Sequence, residues 1–343
     1  MDCEPDSGGI GSAPAGHNEM NLTGKGSLAG GWLDFLNGLG RTFPWHGRAI
    51  ARRLYSIFSK SGCVPRRTYY GMCMCLDPRN GYHRELILGF FEEGTTTALC
   101  ALLPHADTFI DVGANIGFYT LLASTIMGNR GKVLAFEPDP RNLASLATNL
   151  ALNQASNATV LPVAIGDTRR SATLVAAENS IGSFLEGQRE TIPLPGYMHG
   201  PRSEIAVQMV TLSEACSGLL GPRRGMRILK MDIEGAEPLA IHGAAQLLEE
   251  IDVVIAEMNV SMLRAHGFQP EEIVEPLVRA GFHAMLLRDR PPGVQSLPSA
   301  LAGSPNLLFY RDTALSTSTD CLKALLMNNA SVCISRERHR TAL

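Results

Sequence analysis

Residues 108–120 read T-F-I-D-V-G-A-N-I-G-F-Y-T, and this stretch decides the fold. A short apolar run typical of a buried strand leads into a glycine-rich turn and then into the start of a helix. Asp111 stands where the strand becomes the turn. Gly113 is expected to adopt a positive φ and to let a ligand approach the backbone, and Asn115 tolerates the left-handed region. Gly117 is expected to let the helix pack tightly against the strand. A helix that begins at such a turn presents free N–H groups.

A second signal follows at the spacing that a nucleotide-binding βαβ unit requires. Residues 132–138, K-V-L-A-F-E-P, form another apolar strand that ends in Glu137. In such units an acidic residue about 20 residues beyond the turn accepts hydrogen bonds from the ribose hydroxyls. The alternative is an ordinary βαβ crossover with an acidic surface cap.

The charge at the turn favours one nucleotide over another. A dinucleotide site requires the pattern Gly-x-Gly-x-x-Gly, whereas this chain has Asp111-x-Gly113-x-Asn115-x-Gly117. An acid at the strand end opposes a pyrophosphate but suits a cationic ligand. S-adenosylmethionine (SAM) carries a sulfonium and an ammonium and no phosphate, so the pattern favours SAM over NAD.

Composition sets the class of protein. The chain has 343 residues, 45% of them hydrophobic, and a net charge of −3, so no basic excess indicates nucleic-acid binding. No apolar run reaches membrane-spanning length, and acidic Asp2 and Glu4 are unlike a secretory signal. The eight cysteines form no Cys-x-x-Cys pair. Cys73 and Cys75 are expected to be buried reduced thiols rather than zinc ligands, and the protein is expected to be cytoplasmic.

Four regions are predicted along the chain. Residues 1–30 are poor in periodicity and expected to be disordered, residues 31–103 form an N-terminal helical and strand cap, residues 104–312 form the main domain, and residues 313–343 form a tail. Within the cap, an amphipathic helix at 46–60 is basic on its polar side. Its polar face is either solvated or in contact with a membrane.

Strands and helices alternate from residue 108 onward, which predicts an α/β fold with a doubly wound, mainly parallel sheet and helices on both faces. Before it, a strand is expected at 68–76. An irregular stretch at 166–206 contains short strand candidates at 172–176 and 182–185. The other strands are predicted at 108–112, 132–136, 158–164, 227–232, 252–258, 282–287 and 306–310, and the helices at 83–103 (with a break at Gly94), 117–127, 140–152, 237–249 and 270–280.

Polar residues follow nearly every predicted strand, at the edge where open parallel sheets bind ligands. Candidates for the proton acceptor are Asp232, Glu234 and Glu257, with His83 and His266 less favoured. Asp232 is preferred because its strand lies next to the cofactor strand. A purely structural ion pair with Lys230 is the alternative. Oxygen ligands from Asp232 and from 257–259 are also compatible with a magnesium-type ion, although no metal is expected.

Several motifs in order resemble the FkbM family of SAM-dependent methyltransferases: D-V-G-A-N-I-G-F-Y-T-L-L-A (111–123), A-F-E-P-D-P (135–140), N-L-A-L-N (149–153), A-I-G-D (164–167) and K-M-D-I-E-G-A-E (230–237). The resemblance covers residues 82 to 310. It implies a class I methyltransferase fold, a seven-stranded sheet whose last strand runs antiparallel. It also implies that SAM is the cofactor and that a sugar, glycolipid or polyketide-type hydroxyl is methylated.

The same resemblance implies roles for single residues. The methionine end of the cofactor would be lined by Asp111, Gly113, Asn115 and Gly117. The ribose would be held by Glu137, and the adenine amino group would be met by Asp167. Two other functions are compatible with the sequence: an NAD-dependent oxidoreductase, and a SAM-binding module without catalytic activity.

Overall fold

The computed structural model describes residues 35–36, 38–39, 46–58, 62–177, 183–185, 201–298 and 300–317. The predictions for residues 1–30 and for most of the tail lie outside these ranges. The chain divides into two compact units. The first comprises Met1–Phe91, Ala151–Gln154 and Ile334–Leu343, and the second comprises Glu92–Leu150 and Ala155–Cys333.

The strands in chain order are β1 Val64–Arg67, β2 Cys73–Leu76, β3 Ala106–Val112, β4 Lys132–Phe136, β5 Ala158–Leu161, β6 Ala164–Gly166, β7 Arg170–Ala177, β8 Phe184–Leu185, β9 Arg202–Thr211, β10 Met226–Met231, β11 Val253–Glu257, β12 His283–Asp289, β13 Pro292–Ser296 and β14 Asn306–Tyr310. The α-helices are His46–Phe58, Gly81–Leu88, Glu93–Leu102, Phe118–Met127, Pro140–Leu152, Leu212–Cys216, Glu237–Gly243, Val260–His266, Glu271–Arg279 and Asp312–Thr317.

In the first unit, strands β1 and β2 form an antiparallel hairpin. The predicted strand at 68–76 is therefore shorter, because Gly71 adopts a φ of 87° and Thr68 N donates to Met72 O at 2.8 Å in the hairpin turn. The side chain of Asn153, the last residue of N-L-A-L-N, bonds both backbone groups of Cys73 at 2.9 and 2.6 Å.

Two arginines of the basic helix His46–Phe58 interact with residues of the same unit. Arg48 is buried, with its guanidinium 4.7 Å from the ring centroid of Phe90. Arg52 pairs with Glu85 at 2.6 Å. Contact of this helix with a membrane remains a prediction. Among the described residues, no single helix is long and apolar enough to cross a membrane, and one pair of consecutive helices meets the criterion by length and composition alone.

Cysteine chemistry differs from the expectation at one position. Cys73 is disulfide-bonded, so the prediction of a reduced thiol there is wrong. Burial raises the pKa of the Cys75 thiol. The cytoplasmic location, for which reduced thiols were the argument, stays a prediction.

The second unit is built on an eight-stranded sheet with the order β13-β12-β14-β11-β10-β3-β4-β5. Strands β11, β10, β3, β4 and β5 pair in parallel, while β14 runs antiparallel to both of its neighbours. This is the predicted class I methyltransferase arrangement, with its last strand antiparallel. The predicted count of seven strands is wrong by one, because β12 turns back at 290–291 and pairs with β13 at the edge.

A smaller sheet with the order β6-β9-β7-β8 lies in the same unit. The single strand predicted at 158–164 is split between the two sheets at Pro162, which cannot donate to a ladder. The stretch predicted as irregular contains the expected β7 and β8, and it also contains the beginning of the long strand β9, which continues to Thr211. Leu185 of β8 pairs with Leu174, and Arg202 of β9 pairs with Ala177, so both pair with β7.

The long helix predicted at 83–103 is two helices in the structure, Gly81–Leu88 and Glu93–Leu102. The break lies at Gly89, with φ of 72°, and Glu92, with φ of 36°, rather than at Gly94. Gly94 lies inside the second helix, where an added Cβ would come within 2.6 Å of the carbonyl oxygen of Arg288. Close packing therefore explains that glycine.

Candidate active site

Four adjacent parallel strands end at one level, and the residues that follow their last paired positions lie side by side. Met231 pairs with Val112 and with Ala256, and Val112 pairs with Phe136. The next residue on each strand is therefore, in order across the sheet, Glu257, Asp232, Gly113 and Glu137. Neighbouring strands are about 4.8 Å apart, so acidic residues flank a position that has no side chain.

The glycine-rich turn has the predicted conformation. Gly113 and Gly117 have φ values of 85° and 92°, and Asn115 lies in the left-handed region with φ of 51°. The amide of Asn149 fixes the turn, because its Nδ2 donates to Ile116 O at 2.8 Å. This contact gives the first asparagine of N-L-A-L-N a structural role.

Both glycines are required by neighbouring chain atoms. A Cβ on Gly113 would lie 1.9 Å from the carbonyl oxygen of Asp232, and a Cβ on Gly117 would lie 2.3 Å from Cδ1 of Leu146. The glycine at 113 thus lets the ends of β3 and β10 approach each other, whereas the sequence suggested that it makes room for a ligand. At 117 the neighbour belongs to the helix Pro140–Leu152 rather than to a strand.

Glu137 is the most tightly held of the predicted cofactor residues. Its Oε2 accepts from Asn115 N at 2.8 Å, and its Oε1 accepts from Asp139 N at 2.8 Å and from Asn142 Nδ2 at 3.4 Å. The residue is 5% exposed, and burial raises its pKa to about 7 although these hydrogen bonds act against the shift. The glycine-rich turn and the acid after β4 are therefore joined directly by hydrogen bonds.

Asp111 and Asp167 each have a buried oxygen atom that accepts no hydrogen bond from the described residues. Asp111 is 1% exposed, and its other oxygen accepts from Thr120 Oγ1 at 2.6 Å. Burial raises the pKa of Asp111, and the ammonium of Lys230 opposes the shift. Asp167 follows β6, a strand of the smaller sheet. Oxygens of this kind are acceptors that lack a donor.

On the other side of Gly113, three carboxylates converge, and we refer to Glu92, Asp232 and Glu257 as the carboxylate cluster. One oxygen from each lies within 4.8 Å of the others. The buried ammonium of Lys230 lies 3.3 Å from Asp232 Oδ2 and 4.8 Å from the ring centroid of Tyr119. The predicted ion pair is therefore present, but it lies inside a larger group of charges.

The pKa values of Glu257 and Asp232 in the cluster are shifted in opposite directions. Burial raises the pKa of Glu257 well above its ordinary value, and the charge of Asp232 adds to the shift. Burial is the largest influence and by itself would raise the pKa of Asp232, but the Lys230 charge and the hydrogen bonds with Glu257 and Lys230 together outweigh burial and lower it. Burial likewise opposes the charge of Lys230, yet the surrounding carboxylates raise its pKa. Glu257 is therefore the more readily protonated of the two, and it shares a hydrogen bond with Asp232, whose ionised form is favoured.

Glu234 lies apart from the cluster, although the sequence grouped it with Asp232 and Glu257. Its φ is 52°, and its Oε2 accepts from Asn259 Nδ2 at 3.0 Å. The loop that carries it is held by Glu237, whose two oxygens accept from Ile233 N and Gly235 N at 2.9 and 3.0 Å. The second acid of K-M-D-I-E-G-A-E thus faces an asparagine, and the third acid supports the loop.

Neither histidine considered from the sequence is part of the cluster. Nδ1 of His83 accepts from Asp77 N at 3.0 Å, and burial lowers its pKa. The ring nitrogens of His266 lie 2.9 and 2.7 Å from the carbonyl oxygens of Met262 and Leu185. Both rings are thus engaged by the backbone.

Sequence reasoning missed Glu92 and Tyr119. Glu92 falls within an apolar helical pattern, where one acid looks like a solvated surface residue. Tyr119 was read as part of the helix after the turn. In the structure the hydroxyl of Tyr119 donates to Glu92 Oε2 at 2.8 Å. The two residues are 27 positions apart, so no local sequence pattern indicates that they are in contact.

The three converging carboxylates could hold a magnesium-type cation, since such ions prefer carboxylate oxygens. The Lys230 ammonium already supplies a positive charge at 3.3 Å from one of them. The ammonium therefore already neutralises part of the negative charge that a metal ion would balance, although the three carboxylates still offer ligand oxygens.

Comparison with known proteins places the chain in a family. The methyltransferase FkbM domain matches residues 111–285, just over half of the chain. The chain belongs to the FkbM methyltransferase family. SAM is accordingly the cofactor of this FkbM protein, which agrees with the prediction from the charge of the turn and disfavours NAD.

A curated relative is the hexuronic acid methyltransferase AglP of Haloferax volcanii, which is 24% identical over 174 residues. The match covers 51% of this chain and 62% of AglP, less than two thirds of the relative's length.

Solved structures of low sequence identity also match part of the chain. The FkbM methyltransferase of Methylobacillus flagellatus is 17% identical, with a TM-score of 0.36, over 60% of this chain and 44% of that one. A putative methyltransferase of Streptococcus mutans, solved with S-adenosylhomocysteine (SAH), is 11% identical, with a TM-score of 0.35, over 63% of this chain and 94% of that one.

Proposed function

We propose that this protein is a SAM-dependent O-methyltransferase that acts on a hydroxyl group of a sugar, glycolipid or polyketide-type acceptor. The observation that supports this proposal is that four neighbouring parallel strands end side by side and place acidic residues at one edge of the sheet. Glu137 lies on one side of Gly113, and Asp232 and Glu257 lie on the other. Ligands of open parallel sheets bind at this edge. The ribose then belongs over β4, and the reacting methyl group belongs toward β10 and β11.

The residues at the edge fit the cofactor by their chemistry. SAM presents hydrogen-bond donors at three places: the ammonium, the ribose hydroxyls and the adenine amino group. The matching acceptors are the unsatisfied oxygen of Asp111, the carboxylate of Glu137 and the unsatisfied oxygen of Asp167. Asn115 and Gly117 shape the turn between them. Because these acceptors are already oriented, little ordering is needed on binding.

The acceptor side must orient a hydroxyl and remove its proton. When bound, SAM would supply an electrophilic methyl group and would become SAH on its transfer. Asp232, whose ionised form is favoured beside Lys230, can accept a hydrogen bond from the acceptor hydroxyl, and Glu257, when protonated, can donate to a second polar group. Glu234 acts through Asn259 to position this edge.

The chemistry of the site favours a hydroxyl group as the acceptor, and the comparison with AglP favours a sugar. An alcohol must lose a proton as it is methylated, and a carboxylate-rich site provides a place for that proton. AglP, a relative by sequence, acts on a hexuronic acid. By analogy with AglP, a hexuronic acid glycoside is the first acceptor to test.

The first experiment measures binding and separates the two cofactors. Calorimetry of the full chain should give heat with SAH and none with NADH. Binding of NADH with no heat from SAH would contradict the proposal and support the oxidoreductase alternative.

The second experiment measures transfer of tritium from methyl-labelled SAM to the methyl glycoside of glucuronic acid and to a panel of neutral sugars, glycolipids and polyketide alcohols. Asp232→Asn should lower turnover roughly 100-fold or more, with SAH affinity little changed. Asp312→Asn, an exposed carboxylate paired with His283, is the matched control. Tight SAH binding without transfer to any member of the panel would favour the non-catalytic module.

Added EDTA tests the metal alternative in the same assay. Full activity after exhaustive chelation would remove a divalent cation from the mechanism. Loss of activity that magnesium restores would show that a divalent cation takes part, with the carboxylate cluster as the candidate for its ligands.

A further inference from the structure

Strand β8 is short, and contacts outside its own sheet determine where it lies. It spans Phe184 and Leu185, and among the described residues it pairs with Val175 and Leu174 of β7, at one edge of the smaller sheet. Strands usually have about 3–10 residues, so two residue pairs give β8 little stability of their own. Contacts at both of its ends supply what the backbone pairing lacks.

One end of β8 is attached to the loop that follows β4. The hydroxyl oxygen of Ser183, the residue before β8, lies 3.3 Å from Oδ2 of the buried Asp139 and can donate a hydrogen bond to it. The backbone N–H of Asp139 in turn donates to Glu137 Oε1 at 2.8 Å. The acid assigned to the ribose of the cofactor is therefore linked to β8 through a single residue.

The other end of β8 is attached to the helix that follows β11. Nε2 of His266, the last residue of the helix Val260–His266, lies 2.7 Å from Leu185 O, close enough to donate a hydrogen bond. The ring centroid of Phe184 lies 6.1 Å from that of His266, edge to face, and 5.5 Å from the guanidinium of Arg202. Both the backbone and an aromatic side chain of β8 are thus held in place.

The two attachments lie on opposite sides of the glycine-rich turn. In the order of the large sheet, β4 lies on one side of β3, and β10 and β11 lie on the other. Leu185 belongs to an apolar cluster against which Ile233 packs. A Cβ on Gly113 would lie 3.1 Å from Cγ2 of Ile233. Strand β8 therefore crosses the edge at which an open parallel sheet binds its ligand.

We propose that Ser183, Phe184 and Leu185 form one wall of the SAM site, over the ribose, and that Asp139 and His266 are the positioning residues of this wall. The inference rests on the proposed function through its cofactor. A wall attached at both ends limits the path by which the nucleoside leaves the site. SAH should therefore dissociate slowly, and the loss of either attachment should accelerate its dissociation.

The first test measures the rate at which labelled SAH leaves the full chain when unlabelled SAH is added in excess. His266→Phe keeps a ring against Phe184 and removes the donor to Leu185 O. Ser183→Ala removes the hydroxyl that meets Asp139. Each variant should raise the dissociation rate roughly 3- to 10-fold, which is the effect of one hydrogen bond of ordinary net strength.

Matched controls change the same residue types away from β8. His242→Phe replaces an exposed histidine of the helix Glu237–Gly243, and Ser145→Ala removes a hydroxyl that meets Arg141 O at 3.2 Å within one helix. Both should keep the dissociation rate within about twofold of the wild type. His266→Gln retains an N–H donor and should restore slow dissociation to within about twofold, which a role of the ring in packing alone would not allow.

Hydrogen exchange tests the position of the wall without any substitution. Addition of SAH to the wild type should slow exchange of the amide N–H groups at 184–185 roughly tenfold or more, because the wall opens less often when the site is filled. The amides of β13, at the far edge of the large sheet, should exchange at the same rate with and without SAH.

The outcomes separate the inference from the function on which it rests. Absence of SAH binding by the wild type would overturn the proposed function and the inference together. SAH binding with a wild-type dissociation rate in His266→Phe or in Ser183→Ala, or without protection at 184–185, would overturn the inference alone. If urea denaturation shows that His266→Phe does not fold, Ser183→Ala and the exchange measurement decide.

Discussion

Replacing Gly113 with alanine would act on the junction between two strand ends. The new Cβ would lie 1.9 Å from the carbonyl oxygen of Asp232, whereas real Cβ contacts essentially never fall below 3.0 Å. The end of β10 would therefore have to move by about 1 Å in a close-packed interior. Overpacking of this kind costs about 1–3 kcal/mol, and an L-residue at the φ of 85° adds about 1–2 kcal/mol.

Urea denaturation of Gly113→Ala should therefore show a free energy of unfolding lower by about 2–5 kcal/mol, a large part of the 5–15 kcal/mol of an ordinary domain. Gly218→Ala is the matched control. Gly218 has a φ of 73°, but nothing lies within 4 Å of an added Cβ. It should lose only the conformational part, about 1–2 kcal/mol.

Methyl transfer should respond more strongly than stability. A shift of about 1 Å in Asp232 misplaces a residue of the acceptor side, and such a shift can lower turnover on the order of 100-fold. Equal stability of Gly113→Ala and Gly218→Ala, together with wild-type turnover, would refute the reasoning that this glycine sets the distance between the strand ends.

Three further predictions concern the charges of the site. Glu137→Gln should weaken SAH binding roughly 10- to 100-fold, measured by calorimetry, because hydrogen bonds to a charged group contribute about 1.5–3 kcal/mol. Lys230→Met should lower the free energy of unfolding by about 3–5 kcal/mol at pH 7, since Asp232 would lose its buried counter-charge. The pKa values of Glu92, Glu137 and Glu237 are raised from 4.5 to about 7, so the folded state binds more protons in that window, and the free energy of unfolding should fall as the pH rises from 4.5 to about 7.

Each of these predictions has a control. Glu272→Gln, an exposed carboxylate, should leave SAH affinity unchanged. Lys132→Met, which removes an exposed ammonium bonded to Leu219 O, should change stability by about 0.5 kcal/mol or less. Glu237→Gln should remove about 1–3 kcal/mol of the pH-dependent fall. The lowered pKa of Asp232 acts in a separate window below 3.8, where stability is lost as the pH falls. A free energy of unfolding that rises between pH 4.5 and 7 would contradict the assignment of buried carboxyls.

Elements with strong local signals were predicted almost to the residue. The helix Pro140–Leu152 and the strand Asn306–Tyr310 have the predicted bounds, because a proline starts the helix and an unbroken apolar run makes the strand. The acids after the strands were found for a related reason. Parallel strands end at one edge, so the order of elements alone brings the ends of β4, β10 and β11 together.

The features that the sequence did not predict all depend on contacts between residues that are far apart in the chain. Strand β9 alternates polar and partly buried residues, and it is stabilised by pairing with β7 and β6. The second half of β9 carries the alternation of a strand, but its polar start lies in the stretch predicted as irregular, which hides that signal. Glu92 carries no local signal for a positive φ, which arises from the contacts at 94, 96 and 119. The eighth strand, β13, likewise exists only because β12 offers a free edge.

The pairing of β8 and β9 with the same strand has a consequence for evolution. The chain leaves at Leu185 and returns at Arg202, and its anchor points on β7, Leu174 and Ala177, are three positions apart. A segment whose two ends are neighbours can be lengthened, shortened or exchanged at little entropic cost, while the strand ends that face the methyl donor keep their places. The part of the chain between Leu185 and Arg202 can thus differ in length among related enzymes without any displacement of the strand ends at the site.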